Sequence, residues 1–109
     1  MRVVVQEAAE QDILSQFECY AAQGLADIAR RFRVATYGAI EAVTAMPLAG
    51  TPRLSRNPTL TGLRSWPIKG FDELNVYYLV GSDVLTVVRI LHDKRDIAAV
   101  LDDQELEEP

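Results

Sequence analysis

Hydrophobic residues recur along the first half of the chain with the spacing of two amphipathic helices. From Glu7 onwards, apolar residues fall three or four positions apart, which is typical of a helix with one buried face. The residues on this line are Ala9, Ile13, Phe17 and Tyr20. Gly24 is a natural end for this helix, because glycine readily adopts the left-handed conformation found at helix ends. A second helix is predicted over 25–45, with the apolar line Ile28, Phe32, Ala35, Ala39, Val43 and Met46.

The second half of the chain carries the pattern of an antiparallel sheet. Two runs rich in Val, Ile, Leu and Tyr, at 74–80 and 84–91, are separated by the short turn Gly81-Ser82-Asp83. Such a spacing is the signature of a β-hairpin. A third run at 63–68 precedes them across a turn that contains Gly70. These residues therefore predict a three-stranded meander.

The complete order of elements predicts an α+β fold. Arg2–Val5 forms an N-terminal strand, because three consecutive valines favour the extended conformation. Residues 46–58 are predicted to form a loop, since they contain three prolines and one glycine. A short helix over 96–101 would follow the meander. We expect one domain over residues 1–101, followed by an acidic tail at 102–109.

The net charge of −5 comes entirely from this tail, which holds five of the 16 acidic residues and no basic one. The remaining eleven acidic residues balance eleven basic ones. A domain that binds nucleic acid by electrostatics would carry a basic excess, so we expect no direct nucleic-acid binding. Arg30, Arg31 and Arg33 cluster on the second helix, and with Asp27 nearby we interpret them as a solvated face.

Several classes of protein are disfavoured by composition. No apolar run is long enough to span a membrane, and polar residues follow Val5 too soon for a signal peptide. Cys19 is the one cysteine and His92 the one histidine, which excludes an internal disulfide and a multi-histidine metal site. We expect a cytoplasmic protein with no metal and no cofactor.

Both faces of the predicted sheet are apolar. In the run 84–91, side chains on the two faces alternate, and each face is mainly hydrophobic. The helical hairpin can cover one face only. The second face is therefore covered by a partner protein, by the chain's own C-terminal segment through Ile97, Ala98, Val100 and Leu101, or by both.

Residues 63–96 resemble the C-terminal half of the RelE/ParE superfamily of toxin–antitoxin toxins. The matching features are Leu63-Arg64, Lys69-Gly70, Tyr77-Tyr78, Gly81-Ser82-Asp83, Val88-Arg89-Ile90-Leu91-His92 and Arg95-Asp96. The last two features are most similar to the ParE branch. The predicted order of strand, two helices and three strands also fits the layout of the superfamily.

This resemblance implies a toxin of a type II toxin–antitoxin system that inhibits DNA gyrase by stabilising its cleaved-DNA state, without catalysing a reaction. A ParD-like antitoxin would neutralise it in a hetero-oligomer, binding the groove along the helices and the open sheet face. Residues at the end of the last strand and beyond it would bind the target: His92, Lys94 and Arg95. The residues expected to bind the antitoxin are Ile13, Phe17, Phe32, Trp66, Tyr77, Leu85 and Val87.

Two other functions remain open at this point. A RelE-like, ribosome-dependent mRNA endonuclease would use Arg64, Arg89, His92 and Arg95 to hold the scissile phosphate and to transfer protons. The sequence departs from that pattern, because no tyrosine follows the last strand and the basic excess is missing. The other alternative is a non-toxic, regulatory or degenerate member.

A purely structural interpretation of the cations competes with catalysis. In this interpretation Arg64 and Arg89 are neighbours on adjacent strands, tied to carboxylates or to the backbone, and His92 ends the strand. We favour this interpretation, since isolated Arg and His residues are more often structural than catalytic.

Overall fold

The computed structural model describes residues 1–93 and 97–107. Its elements are β1 (Arg2–Val5), α1 (Glu7–Ala22), α2 (Ala26–Ala45), β2 (Thr51–Pro52), β3 (Arg64–Ile68), β4 (Phe71–Val80), β5 (Val84–His92) and α3 (Ile97–Asp102). A 3-10 turn, Pro58–Leu60, lies between β2 and β3. The predicted α+β fold is thus confirmed, including both helices of the hairpin and the short C-terminal helix. In the two described ranges, no helix combines the length and the hydrophobicity needed to cross a membrane.

The five strands form one sheet in the order β1-β5-β4-β3-β2. The predicted meander is its antiparallel centre, β3-β4-β5. β1 lies parallel to β5, with Val5 opposite Val87, while β2 extends the other edge, with Thr51 opposite Ser65. The segment predicted to be a loop therefore contains a strand. Two residues are too few to show the alternation by which a strand is recognised in a sequence.

The helical hairpin covers one face of the sheet. The buried residues of this first core are Ala9, Ile13, Phe32, Ala39, Ile40, Val43, Ile68, Leu74, Val76, Tyr78, Leu85, Val87 and Ile90. Three rings from α1, α2 and the start of β4 meet here: Tyr20, Phe32 and Phe71 have centroids 5.5 to 6.0 Å apart. Such aromatic pairs add about 0.5–1.5 kcal/mol each beyond the burial of their area, so they help to fix the hairpin on the sheet.

The second face of the sheet is covered by the chain itself. Its core consists of the buried residues Leu60, Leu63, Tyr77, Val88, Leu91 and Leu101, with Leu79, Ile97, Val100 and Leu106 packed against them. Of the two alternatives for this face, the C-terminal segment is the one observed. Ala98 is exposed and takes no part, whereas Leu106 joins from beyond the predicted helix. The expected open sheet face is therefore absent from the described part of the chain.

Polar side chains of the body tie residues 97–107, which we call the C-terminal strap, to the fold. Asn57 Nδ2 donates to the carbonyl oxygens of Leu101 and Gln104, at 3.0 and 2.8 Å. Gln6 and Glu107 exchange two hydrogen bonds, in which Gln6 Nε2 donates at 3.1 Å and Gln6 Oε1 accepts at 2.7 Å. The acidic tail is thus tied to the domain through Gln104 and Glu107.

The consecutive residues Tyr77 and Tyr78 of β4 lie on opposite faces of the sheet, because side chains alternate along a strand, and β5 has a bulge opposite them. Tyr77 lies opposite Arg89, but Tyr78 lies opposite Val87, so the register shifts between them. Tyr78 Oη donates to the carbonyl of Pro47 at 2.8 Å and accepts from the amide of Gly50 at 3.0 Å. Tyr77 Oη is buried and has no hydrogen-bond partner among the described residues. Burial raises the pKa of both hydroxyls above its ordinary value.

The strap contributes to stability mainly through Leu101. Because this side chain is only 3% exposed, Leu101→Ala should lower the free energy of unfolding by about 2–4 kcal/mol. The matched control is Leu54→Ala, a fully exposed leucine whose removal should change stability by less than about 0.5 kcal/mol. Denaturant unfolding measures both variants, and equal losses would contradict the observed packing of the strap.

The two tyrosines should respond in opposite ways to the loss of their hydroxyls. Tyr78→Phe leaves the buried amide of Gly50 and the half-buried carbonyl of Pro47 without their partner, at a cost of about 1–3 kcal/mol. Tyr77→Phe removes a buried hydroxyl that has no partner in the described structure, so stability should stay unchanged or rise. Thermal unfolding of both variants tests this contrast. A greater loss in Tyr77→Phe than in Tyr78→Phe would refute it.

Candidate functional site

Arg89, one of the four residues that the mRNA-endonuclease alternative would use, is held by a bidentate ion pair. Its Nε and Nη2 donate to the two carboxylate oxygens of Asp12 in α1, at 2.7 and 2.8 Å. The same carboxylate accepts the amide of Ile90 at 2.9 Å, and Arg89 Nη1 donates to Gln104 Oε1 at 3.0 Å. The hydrogen bonds to Asp12 raise the pKa of Arg89, so its charge is permanent. Arg89 therefore joins β5 to α1 and to the C-terminal strap.

Arg64 has a different structural role. From β3 it binds the backbone of the loop that follows α2. Its Nη1 donates to the carbonyl oxygens of Leu48 and Gly50, at 3.1 and 2.8 Å. Tyr78, which lies opposite Arg64 in the sheet, holds the same loop. Together the two side chains satisfy backbone groups that would otherwise lack partners beside the end of a helix.

The two arginines are not neighbours on adjacent strands, which corrects the sequence-based interpretation. Arg64 belongs to β3 and Arg89 to β5, and β4 separates them. Their ties to the backbone and to a carboxylate do agree with that interpretation. The predicted catalytic group is thus divided between two places in the fold.

His92 is the last residue of β5, as predicted, and its Nε2 lies 2.9 Å from Glu73 Oε2. The imidazole is half-buried and lines a shallow cavity of about 260 Å³ between α1 and β5. Asp12 and Cys19 also line this cavity. Lys94 and Arg95, the other predicted target-binding residues, lie outside the described residues. No group of three or more His, Cys, Asp or Glu side chains within 1–93 and 97–107 is arranged to hold a metal ion.

Most of the residues expected to bind an antitoxin lie in the interior of the chain. Ile13, Phe32, Leu85 and Val87 are buried in the first core, and Tyr77 in the second. These five side chains are at most 5% exposed and form part of the core, and their role in binding an antitoxin stays a prediction. The remaining two, Phe17 and Trp66, are half-buried.

The structure shows a groove of whose lining residues the sequence analysis expected only Trp66 to bind a partner. It runs between α2 and the β3–β4 turn as two adjoining hollows of about 720 and 700 Å³, which share Val34, Ala35 and Lys69. We call it the α2 groove. Its lining on the helix includes the small residues Ala35, Gly38, Ala39 and Ala42, and the opposite wall consists of Trp66, Pro67, Lys69, Gly70 and Phe71.

One signal in the sequence could have revealed the α2 groove. Ala35, Gly38, Ala39 and Ala42 follow one another at intervals of three, one and three residues, so they lie on one face of the helix. A line of small residues beside an exposed Val34 leaves room for another element. In the sequence, this face could not be distinguished from the apolar line through Phe32 and Val43, because both contain Ala35 and Ala39.

Comparison with known proteins agrees with this fold. Residues 3–97 match the family model of the ParE toxin of the type II toxin–antitoxin system parDE. Among solved structures, a chromosomal ParDE system from P. aeruginosa matches with a TM-score of 0.69 and 15% identity, over 84% of this chain and 95% of that one. No curated protein matches the sequence. Because the family match spans most of the chain, the protein belongs to the ParE toxin family of type II toxin–antitoxin systems.

Proposed function

We propose that this ParE toxin inhibits DNA gyrase by binding to it, and that a ParD-type antitoxin neutralises it. The observation that carries the first half of the proposal is that Arg64 and Arg89 are both engaged within the fold. A ribonuclease needs cations that converge on the scissile phosphate, together with a positioned acid and base. Here the two guanidinium groups hold a loop and a helix, on strands that β4 separates.

The distribution of charge supports a protein target. Residues 1–101 carry no net formal charge, and the only excess is the acidic one at the C-terminus. Binding to ribosomal RNA would require the neutralisation of several phosphates by Lys and Arg. A neutral surface that holds apolar hollows is better suited to contacts with a protein.

The region proposed to contact gyrase is the end of β5 and the residues that follow it. His92 lies at the border of the described structure, beside Glu73 and above the cavity next to α1. Lys94 and Arg95 follow His92 after one intervening residue, Asp93, so two cations lie close to this imidazole in the sequence. Under this proposal, Lys94 and Arg95 bind gyrase together with His92.

We propose that the antitoxin binds in the α2 groove. The second face of the sheet is covered by the C-terminal strap, which leaves the helical side of the molecule for a partner. Exposed apolar side chains lie along that side: Val34 is 74% exposed and Tyr37 46%. Exposed apolar surface of this kind usually marks a site of interaction.

Expression of the chain alone in a bacterium tests the target. We expect loss of negative supercoiling and induction of the DNA-damage response before protein synthesis falls, because gyrase introduces negative supercoils. Plasmid supercoiling and amino-acid incorporation are measured in parallel after induction. Arrest of protein synthesis with unchanged supercoiling would support the mRNA endonuclease instead, and growth without arrest would support a non-toxic member.

A double-mutant cycle separates a structural Arg89 from a catalytic one. Arg89→Ala and Asp12→Ala should each lower the free energy of unfolding by about 1.5–3 kcal/mol, because each leaves a charged partner without its hydrogen bonds. The double variant should lose less than the sum, since the two residues contact each other. Arg33→Ala, an exposed arginine on α2, serves as the control.

Toxicity of the same variants completes the test. At a temperature where Arg89→Ala remains folded, it should still arrest growth. If Arg89→Ala is folded and as stable as the wild type but no longer toxic, the structural role is contradicted. That result would favour RNA cleavage.

A further inference from the structure

We propose that the toxin, when free of its antitoxin, forms a symmetric dimer in which β1 of one copy pairs antiparallel with β1 of a second copy. The interface joins the two sheets edge to edge and brings Arg2 of each copy beside the acidic tail of the other. This inference goes beyond the proposed function, since it concerns the toxin alone and holds whichever target it inhibits. The α2 groove stays open in the dimer, because it borders β3, towards the opposite edge of the sheet.

The two edges of the sheet are protected to different degrees. An exposed edge offers unpaired amides and carbonyls to other chains, and proteins commonly block it with a proline, a bulge or a charge. β2, at one edge, has only two residues, and one of them is Pro52. β1, at the other edge, contains three consecutive valines and neither a proline nor a bulge. A further strand can therefore be added at β1.

The backbone of β1 presents two residues to the outside. The amides of Arg2 and Gln6 point inwards and donate to carbonyl oxygens of the β4–β5 turn and of β5, at 2.9 and 3.0 Å. Because these directions alternate along a strand, the amides and carbonyls of Val3 and Val5 point away from β5. No hydrogen bond to another described residue satisfies these outward groups.

A two-fold axis through Val4 satisfies the outward groups of both copies. In this register Val3 of one copy lies opposite Val5 of the other, and each such pair exchanges two backbone hydrogen bonds. The same surface serves on both sides of the interface, so the assembly closes at two copies.

The side chains of β1 match in the same register. Val3 is 37% exposed and Val5 packs at the border of the first core, so each would cover the other across the interface. Val4 points to the second face of the sheet and would contact the same residue of the other copy on the axis. Apolar side chains therefore meet apolar side chains on both faces of the joined sheet.

The charges identify the added strand as a second copy of β1. In the dimer Arg2 lies directly opposite Gln6 of the other copy, on the same face of the sheet. Gln6 is the residue that holds the acidic tail, through its two hydrogen bonds with Glu107. Arg2 is exposed and forms no ion pair within the described structure, so its guanidinium can bind carboxylates of the other copy's tail.

The two-fold axis brings Arg2 closer to the tail of the other copy than to the tail of its own chain. Within one chain, Arg2 and Gln6 are four residues apart on an extended segment, a distance of about 13 Å. Between opposite residues of an antiparallel pair, the Cβ atoms are only about 5 Å apart. The dimer thus supplies a counter-charge for the one charged residue of β1.

Val3→Pro tests the backbone pairing, because it removes an outward amide and leaves the hydrogen bonds to β5 in place. Sedimentation equilibrium of the purified toxin should show a concentration-dependent dimer, and Val3→Pro should raise its dissociation constant about tenfold or more. The matched control is Val3→Thr, which keeps both the amide and the β-branched shape. It should change the constant by less than about threefold.

A charge exchange tests the register. Arg2→Glu should weaken the dimer about tenfold at low salt, and the difference should shrink as salt rises. Adding Glu107→Arg to the same chain should restore the dimer, since the exchanged charges face each other between copies. Arg56→Glu changes the net charge equally at an exposed position outside β1 and serves as the control.

The outcomes that overturn the proposal are distinct. A toxin that stays monomeric at every concentration would do so, as would a dimer that Val3→Pro weakens no more than Val3→Thr. A failure of Glu107→Arg to rescue Arg2→Glu would reject the register. Circular dichroism checks that each variant is folded, and Arg2→Glu decides if Val3→Pro is not. Amides of β1 that become protected from hydrogen exchange only in the antitoxin complex would assign this edge to the antitoxin, which also overturns the proposal.

Discussion

The sheet of this toxin is apolar on both faces, and this constraint organises the rest of the fold. β4 and β5 contribute large side chains to each face, and Tyr77 and Tyr78, as consecutive residues of β4, point to opposite faces. Burial of apolar area contributes on the order of 25 cal/mol per Å², so neither face can be left in water without a large loss of stability. The helical hairpin covers one face, and the C-terminal strap covers the other.

The polar contacts of the fold help to hold the helical hairpin and the C-terminal strap on the two faces of the sheet. Asn57 and Gln6 fix the strap through its backbone, and Arg89 joins the strap to α1 through Gln104 and Asp12. Arg64 and Tyr78 hold the loop between α2 and β2. Arg64 and Arg89, two of the four residues that the mRNA-endonuclease alternative would use, are thus part of the framework. The α2 groove and the end of β5 lie outside this framework.

Much of the fold could be predicted from the sequence, because hydrophobic residues recur at regular intervals over long stretches of the chain. The lines through Ile13 and Phe32 and the hairpin around Gly81 each extend over several turns or residue pairs. The coverage of the second face could not be predicted in the same way. The alternation of side chains along the strands indicates that Tyr77 and Val88 are buried. It does not show whether a partner or Leu101 of the same chain packs against them.

The candidate site was less predictable for a related reason. Apolar residues such as Leu85 and Val87 look alike in a sequence whether they lie in a core or in an interface, and here they are core residues. The α2 groove depends on the small side chains at Ala35 and Gly38, which carry a weak hydrophobic signal. The partners of Arg64 are backbone carbonyls, which no pattern of side chains reveals.

Hydrogen–deuterium exchange of the toxin, alone and bound to its antitoxin, tests most directly whether the chain covers its own sheet. Amides of the strap, residues 97–107, should exchange slowly in the free toxin and change little on binding, while new protection should appear in α2 and β3. Fast exchange of the strap in the free toxin, with protection of that same segment only in the complex, would contradict the account.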